Sequence, residues 1–120
     1  MTGNEMIKKA LVLLGYTDST GEISGGQRFS SRALTVLNTI YADLFYILNS
    51  GDFVALKVTG DDINLPERAL NDVMPYGVAA MLAQSESDGD NQQLFVTLYN
   101  SKRAALTHTD SVKDVMPWVY

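Results

Sequence analysis

"LNDVMPYGVAAMLAQSESDGD", residues 70–90, decides how this chain is read, because a helical pattern there runs straight through two residues that oppose helices. Leu70, Val73, Met74, Gly77, Val78, Met81 and Leu82 recur at steps that keep them on one helix face. Pro75 lacks an amide donor and crowds the preceding turn, so the helix is expected to kink or to divide into a short and a long part. Gly77 and the alanines around it leave room for another backbone to come close. The small polar run "SESDGD" then makes a turn.

Both flanks carry helix-start signals. Asn64 and Glu67 around Pro66 have the spacing of a capping box, and proline is tolerated in a first turn. Downstream, Asp90 with Gln93 is expected to cap a last helix bearing Leu94, Phe95, Leu98, Tyr99, Lys102, Ala105 and Leu106. The pattern stops after Thr107, and residues 109–120 read as an extended tail whose Val112, Val115, Met116, Trp118 and Tyr120 are too apolar for a solvated end.

The amino-terminal half reads as helix, loop, long helix. Thr2 and Glu5 are spaced as a capping box, Met6, Ile7, Ala10, Leu11 and Leu14 share a face, and Gly15 stands where a left-handed cap would stop the helix. "YTDSTGEISGG", residues 16–26, reads as a loop. From Gln27 to Asn49, Leu34, Leu37, Tyr41, Leu44 and Leu48 step by three and four, while Ala33, Val36, Ile40 and Ile47 widen the apolar face, so this helix is expected to be central. "FVALKV" at 53–58, with Ile63 and Leu65 beyond a turn at Gly60 and Asp61, predicts a small β-hairpin. The expected fold is therefore mainly α: a bundle of about four helices over residues 1–108, a hairpin near 53–65 between the second and third helices, and a carboxy-terminal docking tail at 109–120.

Composition narrows the function. A chain of 120 residues, 46% hydrophobic and 19% charged, has the size and apolar content of one domain with a real core. The absence of cysteine excludes disulfides and thiolate metal sites. A net charge of −5 argues against broad gripping of nucleic-acid backbones. Lys8 and Lys9 before the apolar run Ala10–Leu14 imitate the start of a signal peptide, but the run is shorter than a signal core, and no membrane span is expected.

Catalytic groups are sparse. His108 is the single histidine, with Thr107 and Asp110 nearby, and nothing in the spacing ties it to a nucleophile. Asp61 with Asp62, and Asp88 with Asp90, offer oxygen ligands but do not match a calcium loop, and aspartate beside glycine commonly serves the turn itself. "GGQRFSSR", residues 25–32, puts Arg28 and Arg32 on successive turns near a helix start, which suits an anion or an intersubunit ion pair but lacks the ending of a phosphate loop. Lys102 and Arg103 read as a solvated helix face. Neither a cofactor nor a metal is expected.

Residues 63–106, "INLPERALNDVMPYGVAAMLAQSESDGDNQQLFVTLYNSKRAAL", resemble the small head-to-tail connector, or adaptor, proteins of tailed bacteriophages. The carrying pattern is Leu65-Pro66 before a helix, then Tyr76, Gly77, Ala79, Leu82 and Ala83, a short acidic turn, and Phe95 with Tyr99-Asn100 on the next helix. The first half agrees only in its order of helix, loop and long helix. The resemblance implies a non-enzymatic virion protein at the head-tail joint, assembled in the bacterial host cytoplasm. It would join the portal protein to the tail or the next connector as a homo-oligomeric ring, with double-stranded DNA passing through the lumen without sequence-specific binding. Arg28, Arg32, Phe53, Val54, Leu56, Val112, Val115, Met116, Trp118 and Tyr120 are the candidate interface residues. Another virion part such as a tail-completion protein, a small nucleic-acid-binding regulator, and a hydrolase built on His108 are the alternatives.

Overall fold

The computed structural model describes residues 1–16, 26–48 and 51–115, with backbone alone for 26–31 and 107–115. Among the described residues four α-helices succeed one another: α1 (Gly3–Leu14), α2 (Gly26–Leu48), α3 (Met74–Ser85) and α4 (Gly89–Val115), with a π-helical turn, Ala69–Val73, leading into α3. The mainly helical bundle expected from the apolar spacing is the architecture observed.

α1 starts as its sequence dictates. The Thr2 hydroxyl accepts the Glu5 amide while the Glu5 carboxylate accepts the Thr2 amide, a complete capping box. At the other end Gly15 takes φ 76°, and its amide donates to the carbonyls of Leu11 and Val12, closing the helix with a left-handed residue.

The Pro75 conflict is resolved without a break. Helical backbone runs from 67 to 85, and the turn before the proline opens to π geometry, with the Met74 amide reaching back to the Ala69 carbonyl. A wider turn relieves the crowding that a proline ring imposes on the turn before it. Pro75 itself is buried, so the irregularity sits inside the core.

α3, rather than the longer α2, is the central helix. It packs against α1, α2 and α4, and Met74, Val78, Ala79, Leu82 and Ala83 are wholly enclosed. A helix apolar all round belongs in the middle of a bundle, whereas the striped α2 keeps a solvent face. Gly77 marks the tightest crossing: a Cβ there would lie 2.8 Å from Cε1 of Tyr99 and 3.0 Å from Cδ1 of Ile40. The small residues thus admit side chains of α4 and α2 of the same chain.

The expected hairpin is replaced by an irregular segment. No strand is present among the described residues, and the one antiparallel bridge there joins Asp62 to Thr2. Competing partners explain the change. Amides of Gly3 and Asn4 donate to the carbonyls of Asp61 and Thr59, and the Ile63 amide donates to Met1, so the return arm is bonded to the α1 start. On the outgoing arm, the Asn38 side-chain amide both donates to and accepts from the Leu56 backbone, at 3.0 and 2.8 Å. One Asp61 carboxylate oxygen accepts the amides of Lys57 and Val58.

Three further expectations are corrected. The Asn64 amide donates to the Tyr41 hydroxyl at 3.0 Å, a bond that takes the donor Glu67 would have accepted in a capping box. α4 begins a residue earlier than its expected cap, with Asp88 rather than Asp90 accepting the Asn91 amide. Its backbone stays helical to Val115, so the segment 109–115 expected as extended tail is helix, and 116–120 lie outside the described residues. The 16–26 loop likewise falls outside them at 17–25.

Candidate functional site

Two surfaces come from the same helix, α2. On one side Asp43 joins α2 to α4: its carboxylate accepts the Tyr99 hydroxyl at 2.5 Å and a two-pronged contact from Arg103, at 2.8 Å from Nε and 3.0 Å from Nη2. Tyr99 is buried and Arg103 half-buried, so the fork closes over the tyrosine hydroxyl at the bundle surface. The reading of Lys102 and Arg103 as a free solvated face is corrected: Arg103 is paired, and the Lys102 ammonium stands 4.6 Å from the ring centre of Tyr76.

Protonation is set by this geometry. Burial pushes the Tyr99 hydroxyl well above the ordinary tyrosine range, and the Asp43 charge pushes it further, so Tyr99 stays a donor at any physiological pH. Burial opposes ionisation of Asp43, but hydrogen bonds from Arg103 and then Tyr99 outweigh it and hold the carboxyl below its usual value. A pKa lowered by folding contributes stability above the unfolded carboxylate range, and that contribution disappears as pH falls through the folded value. The half-exposed fork is screened by solvent, so the effect is modest, under about 1 kcal/mol. Asp43→Asn is expected to flatten the acid limb of the stability curve while changing neutral-pH stability little, as read by urea unfolding at successive pH values.

On the other side, α2 presents an aromatic cluster to the irregular segment. Phe53 sits among Tyr41, Phe45 and Tyr46, with ring centres 5.0, 5.6 and 5.9 Å away. Val54 and Val58 next to it are 72% and 59% exposed, and Tyr46 is 62% exposed. The backbone amides and carbonyls of Phe53, Val54 and Ala55 have no hydrogen-bond partner among the described residues. Solvated backbone beside exposed β-branched and aromatic side chains is the chemistry of an open strand edge.

The candidate interface residues separate on this map. Phe53 is half-buried and Val54 exposed, whereas Leu56 is buried, its backbone clamped by Asn38, and belongs to the chain's own core. Arg32 is exposed and lines an open groove of about 440 Å³ between α2 and α3, floored by Val36 and Met81. Arg28, Val112 and Val115 lie on helical backbone, but their side chains are outside the described residues, as is that of His108. Met116, Trp118 and Tyr120 are wholly outside them.

The acidic pairs act locally. Asp61 organises its turn, and Asp88 caps α4 while accepting the Tyr16 hydroxyl at 2.6 Å, tying the end of α1 to the start of α4. The Tyr16 bond, and after it that from Asn91, keeps the Asp88 carboxyl below its ordinary value. Among the described residues no group of three His, Cys, Asp or Glu is placed to hold a metal ion, and no helix is long and apolar enough to cross a membrane. No family model, curated protein or solved structure matches this chain.

Proposed function

We propose that the chain is a structural subunit of the head-to-tail connector of a tailed bacteriophage, a ring-forming part that extends the DNA channel between the portal and the tail. The observation that carries the reading is where the resembling residues sit. Tyr76 and Gly77 meet Phe95, Tyr99 and Lys102 across the α3–α4 pair, and Ala79, Leu82 and Ala83 fill the enclosed face of α3. The pattern therefore describes one packing unit rather than scattered identities.

Other features favour an assembly part. The net charge of −5 suits a lumen through which DNA slides without sticking. The open edge at Phe53–Ala55 and the long α4 provide surfaces for a heterologous contact of the kind that closes rings. The test is electron microscopy of lysates from the parent phage or prophage with this reading frame deleted. Filled or leaking heads beside unattached tails are the expected result. Normal infectious virions would remove the connector reading.

A further inference from the structure

We propose that the open backbone edge at Phe53, Val54 and Ala55 receives Trp118, Val119 and Tyr120 of a second copy of this chain as an added strand. The contact rests on the assembly reading for its setting, but it is argued from the chain itself. Three consecutive residues present amides and carbonyls with no bond among the described residues, and the chemistry that satisfies such an edge is another extended backbone. The flanking residues show that the segment is held ready. Leu56 is clamped on both its amide and its carbonyl by Asn38, while Lys57 and Val58 are bonded to Asp61, so the open part is bounded and positioned.

The occupant is indicated by composition and reach. Trp118, Val119 and Tyr120 are all strand-favouring, match the open edge in length, and come after Pro117, which cannot continue the α4 hydrogen-bond ladder. Their aromatic rings suit the half-exposed patch of Tyr46, Phe53 and Val54. α4 favours delivery to a neighbour: its backbone rises about 14 Å beyond Leu106, the last described buried residue of the helix, so its axis leads away from its own core.

The test uses the intact protein, in which Trp118 is the single tryptophan. Its emission is expected to move to shorter wavelength as protein concentration rises, in step with self-association seen by sedimentation. Ala55→Pro removes an edge donor that bonds nothing among the described residues, so it should raise the midpoint concentration about tenfold, the equivalent of one ladder hydrogen bond, with an unchanged circular dichroism spectrum. Val54→Asp, at an exposed site, serves if the proline variant misfolds and should weaken association likewise. Emission that is independent of concentration, at either wavelength, overturns the proposal, as does association that neither folded variant weakens. A concentration-dependent shift together with normal virions after gene deletion keeps this contact and removes the connector; detached tails without a shift do the reverse.

Discussion

Leu82→Ala is expected to lower the free energy of unfolding by about 2–5 kcal/mol and the midpoint of thermal unfolding by roughly 8–20 °C. Leu82 is fully enclosed on the helix that touches all three others, so little surrounding structure can collapse into the space left behind. The loss combines the transfer energy of the deleted groups with an unfilled cavity, and rigid surroundings make the second part large. Against a total stability of about 5–15 kcal/mol, the variant should remain folded in the cold but unfold at markedly lower denaturant concentration. The same deletion at Leu94, which is 52% exposed, is the control and should change stability by less than about 0.5 kcal/mol. Equal losses at both positions in urea unfolding would mean that α3 is not the centre of the core.

The central place of α3 is the part of the fold hardest to read from sequence, and the reason is physical. Periodicity reports a helix best when one face is wet, so the striped α2 stands out more than the nearly all-apolar Val78–Ala83 stretch. The local signals that need no distant partner, Thr2 with Glu5 and Gly15, are present as read. The hairpin expectation fails because the decisive bonds are long-range: Asn38 holds Leu56 from 18 residues away, and Met1 holds Ile63. Strand propensity in "FVALKV" describes what that segment favours, and tertiary partners take its other bonding groups first. α4 outlasts its apolar pattern for the opposite reason. Once a helix leaves the core, nothing requires its residues to be apolar, so the end of the pattern marks the end of burial.

The candidate site is legible in part. Composition singles out Phe53 and Val54, which do border an open edge, while the equal claim of Leu56 fails because alternation along a bent segment turns it inward. The Asp43 fork escapes sequence reading altogether. Its partners Tyr99 and Arg103 lie 56 and 60 residues away. The available signal is an aspartate set between Tyr41 and Leu44 on an otherwise apolar stretch, a position where a charge requires a partner.

Gly77→Ala joins this fork to the packing of α3 and should destabilise the protein by about 1–2 kcal/mol, against the usual direction for a helical glycine. Alanine in a helix interior is favoured over glycine by about 1 kcal/mol, so an unobstructed site would gain stability. Here the new methyl group would lie 2.8 and 2.9 Å from two ring carbons of Tyr99 and 3.0 Å from Ile40, and overpacking of that kind costs about 1–3 kcal/mol. The sign depends on whether the ring can withdraw. Tyr99 is held at its far end by the bond to Asp43, whose other contacts are to Arg103, so the ring is pinned from both ends. Releasing it should therefore relieve the strain: Tyr99→Phe, which removes the hydroxyl, is expected to make the cost of Gly77→Ala smaller than in the wild-type background, a non-additive cycle of at least about 0.5 kcal/mol. Gly89→Ala, at the start of α4 with nothing within 4 Å of the added carbon, is the matched control and should be neutral or slightly stabilising. An additive cycle measured by urea unfolding would show that the ring yields without help from the Asp43 bond, and stability gained by Gly77→Ala alone would show that the α3–α4 crossing is looser than its distances require.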